Sequence, residues 1–240
     1  MKKEQVIQIS IVYDNLYYDK GLDTDWGFSC FIKGIEKSIL FDTGAKGNIL
    51  LSNMEKLNIS SSDIDFVFLS HNHKDHTGGL DNLIECNSEI KVWVPEFFPS
   101  VFIESIRQKG SIPFKVNDFQ KICDRVYTTG VISGWIKEQS LLLDTDKGLI
   151  LITGCSHPRI LNIISIVKER MNKDIYLVMG GFHLAGFSKD ELSEIIKGFK
   201  SEGVRKVGPC HCTGSDAIKL FAQEYKNDFI EVGVGRNIKL

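Results

Sequence analysis

Apolar positions in this chain come in short runs whose period changes along the sequence. Val6–Tyr13, Ser29–Lys33 and Ser38–Asp42 have strand character, and a helical segment follows near Gly47–Leu57. Asp65–Ser70 is a brief apolar run ending in polar residues, which predicts a buried strand. A short helix near Gly78–Ile84, a strand at Ile90–Val94 and a helix near Ser100–Gln108 come next. Lys109–Asp124 shows the least regularity and reads as a loop bordering a site. The second half opens with strands near Val126–Thr129, Ser140–Asp144 and Leu149–Thr153, the last two joined by a turn at Asp146-Lys147-Gly148. Strand and helix then alternate: helix Ile160–Met171, strand Ile175–Met179, a helix capped by Ser188 with Glu191 and ended by Gly203, strand Val204–Val207, helix Ser215–Tyr225 and strand Phe229–Val234. Each half thus starts with successive strands and continues with strand–helix alternation. This predicts an α/β protein of two mixed sheets packed face to face with helices outside, one domain over 1–240 built from two similar halves.

Composition narrows the function classes. An apolar fraction of 42% and a net charge of −2 are those of an ordinary globular chain, and no basic block offers a track for nucleic acid. No apolar run reaches the roughly 18–20 residues of a membrane span, and the charged start Met1–Gln5 leads into alternating polar and apolar residues instead of a secretion signal's apolar region, so a cytoplasmic location is expected. The six cysteines are too sparse for a disulfide scaffold. Cys30, Cys86 and Cys123 read as reduced, buried thiols, and Cys210 and Cys212 as packing residues beside His211.

The histidines change the picture. All six lie in glycine-containing or polar turns, most of them next to an apolar run. His71, His73 and His76 share the segment His71-Asn72-His73-Lys74-Asp75-His76 behind a predicted buried strand. Residues two apart in extended backbone point the same way, so His71 and His73 can face one cation while Asp75 and His76 turn toward another. Imidazole and carboxylate donors suit zinc, with iron and manganese as alternatives.

Leu69-Ser70-His71-Asn72-His73-Lys74-Asp75-His76-Thr77-Gly78-Gly79, with Leu40-Phe41-Asp42-Thr43-Gly44 upstream, resembles the signature of the metallo-β-lactamase superfamily over essentially the whole chain. Asp14-Asn15, Trp26-Gly27-Phe28-Ser29, Ile152-Thr153-Gly154-Cys155-Ser156-His157, Gly180-Gly181-Phe182-His183-Leu184 and His211-Cys212-Thr213-Gly214 are similar to one group within it. That is the 7,8-dihydropterin-6-methyl-4-(β-D-ribofuranosyl)aminobenzene 5′-phosphate synthase group, whose reaction joins a pterin-methyl diphosphate to an arylamine and releases pyrophosphate.

The resemblance implies an αββα four-layer sandwich with two divalent metal ions at one edge. It assigns His71, His73 and His157 to one cation and Asp75, His76 and His211 to the other. The bridging aspartate of the superfamily is missing, and Cys155 and His183 compete for its position. Asp42 is expected to orient a ligand or water from behind. Asp75 and His183 are the candidate catalytic groups, His183 either as a ligand or as a proton donor. Trp26, Phe97, Phe98 and Trp135 are candidates to stack on a flat ring, and Lys46, Lys74 and Arg159 to meet phosphate. The implied partner is an anionic or heterocyclic small molecule, with neither nucleic acid nor membrane; subunit number is left open. Two rival readings are a general hydrolase of esters, lactones or phosphodiesters, and a non-catalytic metal sensor.

Overall fold

The computed structural model describes residues 6–240; the expectation placed on Met1–Gln5 lies outside them. The first sheet contains β1 (Gln8–Tyr13), β2 (Ser29–Lys33), β3 (Ile39–Phe41), β4 (Phe66–Phe68), β5 (Lys91–Pro95), β6 (Ile112–Val116) and β13 (Asn237–Lys239), in the order β13-β1-β2-β3-β4-β5-β6. The second contains β7 (Gln120–Cys123), β8 (Val126–Thr128), β9 (Leu141–Thr145), β10 (Gly148–Thr153), β11 (Ile175–Gly181) and β12 (Lys206–Cys210), in the order β12-β11-β10-β9-β8-β7.

Period-two alternation decides what each face meets. In β10, Ile150 and Ile152 point between the sheets and pack with Ile9, Ile11, Phe41, Phe68 and Leu177. Leu149 and Leu151 point the other way. They meet α5 (Ile160–Met171), α6 (Lys189–Ser201) and α7 (Ser215–Tyr225) through Ile163, Ile196 and Phe221. The first sheet does likewise: Leu40 and Val67 face α1 (Gly47–Lys56), α3 (Leu80–Cys86) and α4 (Ser100–Gln108) through Leu50, Leu83 and Ile103. The layers therefore run helix, sheet, sheet, helix.

Strands β3 to β6 are parallel, as are β10 to β12. Their carboxyl ends, with that of β1, open onto one rim. Ligands of open α/β sheets bind beyond such ends. Among the described residues, no helix is long and apolar enough to cross a membrane.

Three expectations need correction. Lys109–Asp124 is not a loop: it supplies edge strands β6 and β7 and carries the chain from one sheet to the other. Pro113 and the half-buried pattern hid β6, but an edge strand tolerates a proline that a central one would not. Phe229–Val234 is not a strand either. Only Phe229 and Val234 make isolated bridges, to Val207 and Tyr17, and the last strand is β13. Of the thiols expected to be buried, Cys86, which ends α3, is exposed and Cys123, on edge strand β7, is only half-buried; all six cysteines are free thiols.

Candidate metal centre

β4 ends at Phe68, and the next residues bring the histidine cluster onto the rim. His73 is extended and precedes a one-turn helix, α2 (Lys74–Thr77), that swings Asp75 and His76 away from the direction of His71 and His73. The loop after β10 brings Cys155 and His157, the loop after β11 His183, and the turn after β12 His211. Asp42, Ser156, His183 and His211 all hold positive φ, at 53°, 63°, 53° and 46°. Such backbone costs about 1–3 kcal/mol per residue and concentrates where a site dictates side-chain direction.

Two donor sets result. One ligand atom each from His71, His73 and His157 lie within 4.8 Å of one another, and so do those of Asp75, His76, Cys155 and His211. In the first set His71 Nε2 is 3.1 Å from His73 Nδ1. In the second, Asp75 Oδ2 is 3.6 Å from His76 Nε2 and 3.5 Å from His211 Nε2. Cys155 Sγ is 3.2 Å from His76 Nε2 and 3.5 Å from His211 Nε2. His183 joins neither set; its neighbours are Cys155 and Cys212.

Behind the donors stands a second layer of hydrogen bonds that fixes each ring. Asp42 is fully buried. Its Oδ2 accepts from His76 Nδ1 at 2.7 Å and from the Ser70 hydroxyl at 2.7 Å, and its Oδ1 accepts from the Ser70 amide. The same hydroxyl, having donated its proton, accepts from His71 Nδ1 at 2.9 Å. One carboxylate therefore orients a ring in each set. Asn15 Oδ1 lies 3.1 Å from His211 Nδ1 while its amide donates to the His211 carbonyl, so Asn15 supports the site. Asp14 accepts from the His211 amide.

Glu138 is the residue that sequence reasoning missed. Its buried carboxylate accepts five hydrogen bonds, from the amides of Gly154, Cys155, Ser156 and His157 and from His157 Nδ1 at 2.9 Å. It folds the 154–157 loop around itself and aims His157 at the rim. No motif announced it, because its partners are mostly backbone amides, which leave no mark in the sequence.

Electrostatics follow the same layout. Burial, then the charge of neighbouring rings, pushes His71 well below its ordinary value and His76 down to about 3, so both rings are neutral near pH 7. Burial opposes ionisation of Asp75 and Glu138. The hydrogen bond from the His211 ring outweighs it at Asp75, and those from the His157 ring and the Ser156 amide outweigh it at Glu138, so both carboxyls stay below the usual range. Burial pushes the Cys155 thiol well up.

Two exposed tryptophans flank the centre. Trp26 lies 5.2 Å from the His211 ring; Trp135 lies 5.0 Å from His157 and 5.5 Å from His183. Phe98, by contrast, is core, and Phe97 packs edge-on against it. Lys46 is paired with Asp25 at 2.7 Å, and Lys74 and Arg159 are exposed.

The chain is similar to known proteins over nearly its whole length. The 7,8-dihydropterin-6-methyl-4-(β-D-ribofuranosyl)-aminobenzene-5′-phosphate synthase of Methanocaldococcus jannaschii is 32% identical, over 99% of this chain and 98% of its own. The crystal structure of Tm1679, a metal-dependent hydrolase of the β-lactamase superfamily, matches with a TM-score of 0.83 and 28% identity, covering 98% of this chain and 99% of that one. The chain belongs to the metallo-β-lactamase superfamily, in the group of that synthase. The metallo-β-lactamase fold protein YhfI from Bacillus subtilis shares the fold at a TM-score of 0.71 and 12% identity, covering 98% of this chain and 99% of its own. The family model of the anti-Pycsar protein Apyc1 matches residues 24–101, which include the histidine cluster.

This metallo-β-lactamase chain is therefore a metal-dependent enzyme, and its fold implies divalent cations. The residues fit them. Zinc bonds of about 2.0–2.3 Å at tetrahedral angles put neighbouring donor atoms about 3.3–3.8 Å apart, close to the separations above. His71, His76 and His157 spend Nδ1 on oxygen acceptors, so their Nε2 lone pairs face the cluster, an arrangement that a cation stabilises. Asp42→Asn weakens this support for both sets. Metal affinity is expected to fall about 10–100-fold, measured by competition with a chromophoric chelator.

Proposed function

We propose that the chain is a di-metal enzyme, with zinc as the cation its donors suit best, that transfers a heterocyclic methyl group by displacing diphosphate. One observation carries the reading: a three-histidine set stands directly beside an aspartate–histidine–cysteine–histidine set, joined by adjacent residues of one short segment. His71, His73 and His157 hold one cation. Asp75, His76 and His211 hold the other, and Cys155 takes the place of the missing bridging carboxylate as a ligand of that second cation. Two divalent cations so placed supply Lewis-acid stabilisation to negative charge developing on a phosphoryl leaving group.

The chain's own residues do the rest. Asp42 and Glu138 keep the rings in one orientation, so little reorganisation accompanies the reaction. Asp75 brings a fixed carboxylate charge to the second set and remains ionised throughout. His183, beside His157 and outside both sets, is positioned to give a proton to the departing oxygen. Trp26 and Trp135 offer flat apolar faces on either side of the centre, suited to a heteroaromatic ring. The synthase relative, similar over nearly its full length, supports a dihydropterin diphosphate and an aminobenzene ribofuranosyl phosphate as the substrate class.

Hydrolysis at the same centre is the second reading, favoured by the likeness to Tm1679, which is described as a hydrolase. The test is to incubate metal-loaded protein with a dihydropterin-methyl diphosphate and the arylamine, and separately with ester, lactone and phosphodiester substrates. Diphosphate release matched by coupled product supports transfer. Cleavage of the panel without any coupled product replaces transfer by hydrolysis.

A further inference from the structure

Cys212 has no part in the reading above, although it is buried against the centre. It follows His211, and its Sγ lies 3.7 Å from the carbonyl oxygen of Cys155. Cys155 Sγ, a ring nitrogen of His183 and Cys212 Sγ all fall within 4.8 Å of one another. Two sulfurs and an imidazole thus converge at a point adjoining, but not coincident with, the second donor set.

The space for this convergence is built into β11. Gly181 stands between the loops that carry the two cysteines. A Cβ on Gly181 would come within 2.7 Å of Cys212 Sγ and 2.3 Å of the Gly154 carbonyl oxygen. Any larger residue there would displace the Cys212 sulfur. From the other side, the positive φ of His183 turns the residue out of the path of β11. Three separate turns, after β10, β11 and β12, supply one donor each, an economical way to fix a trigonal set.

We propose that Cys155, His183 and Cys212 form a third cation site, suited to a thiophilic ion such as zinc, cadmium or cuprous copper. Sulfur and imidazole donors select such ions over magnesium or calcium. The site shares Cys155 with the second donor set, and in that respect it rests on the di-metal reading. Filling it releases the Cys212 thiol proton to solvent as that sulfur–metal bond forms, Cys155 having lost its own to the second cation. It also occupies the His183 nitrogen, which then has no proton to give. The third cation is accordingly inhibitory, where the other two are catalytic.

The experiment titrates reduced, chelator-stripped, full-length protein with cadmium alone. It counts bound equivalents by equilibrium dialysis and follows thiolate-to-cadmium absorption in the near ultraviolet. The wild type should take three equivalents. Cys212→Ser should take two, with reduced but persistent sulfur absorption from Cys155. His183→Gln, whose side chain stands at the rim, should keep three but weaken the last more than about tenfold; it serves if the serine variant folds poorly. Saturation of the wild type at two equivalents, or three in Cys212→Ser with unaltered absorption, overturns the third site. Fewer than two equivalents in folded Cys212→Ser instead overturns the di-metal reading.

Discussion

His73→Ala is expected to remove one cation per chain and to lower turnover at least about a thousandfold. His73 contributes Nδ1 to the three-histidine set and sits 3.1 Å from His71 Nε2. Without it, two imidazoles remain where three converge, and the open side of the set faces solvent. A thousandfold loss corresponds to about 4 kcal/mol of transition-state stabilisation, within the several kcal/mol that Lewis-acid contact supplies. His73 is only partly buried and terminates no core strand, so the fold should survive. Elemental analysis of the folded variant alongside its kcat separates this from unfolding. Normal turnover at unchanged metal content would refute the assignment of the first set.

Glu138→Ala is expected to cost more in stability than any other single change at the centre. Five donors converge on this one buried carboxylate, four of them backbone amides. Breaking a buried charged network by deleting one partner costs about 3–5 kcal/mol. For a chain of this length that corresponds to a drop in Tm of roughly 6–20 °C, read in metal-free protein so that lost cation binding does not inflate it. Glu138→Gln keeps the shape but offers an N–H₂ where acceptors are required, and should fall between the two. A melting temperature unchanged in the alanine variant would show that the 154–157 loop does not depend on Glu138.

The sequence made much of this visible because local pattern and chemistry coincided. The spacing of His71, His73, Asp75 and His76 carries its own geometry, since period two followed by a tight turn separates two directions. The order of strands placed His157 and His211 at the same rim. Alternation in β10 and helical spacing in α5 fixed the layers. What stayed hidden depends on tertiary contacts. Glu138 acts through amides 16 to 19 residues away. Cys212 looked like packing because its partners, Cys155 and His183, come from other strands. Edge strands β6 and β7 bury only one side at most, so their apolar period is weak. Phe229–Val234 had strand composition but meets its neighbours only at its two ends, Phe229 beside Val207 of edge strand β12 and Val234 beside Tyr17.

The most direct test is a crystal structure of the metal-loaded protein with diffraction collected on both sides of the zinc absorption edge. With zinc limited to two equivalents per chain, two anomalous peaks at the rim are predicted, one within bonding distance of His71, His73 and His157, the other within bonding distance of Asp75, His76, Cys155 and His211. A single peak, or peaks bound away from these side chains, would contradict the account.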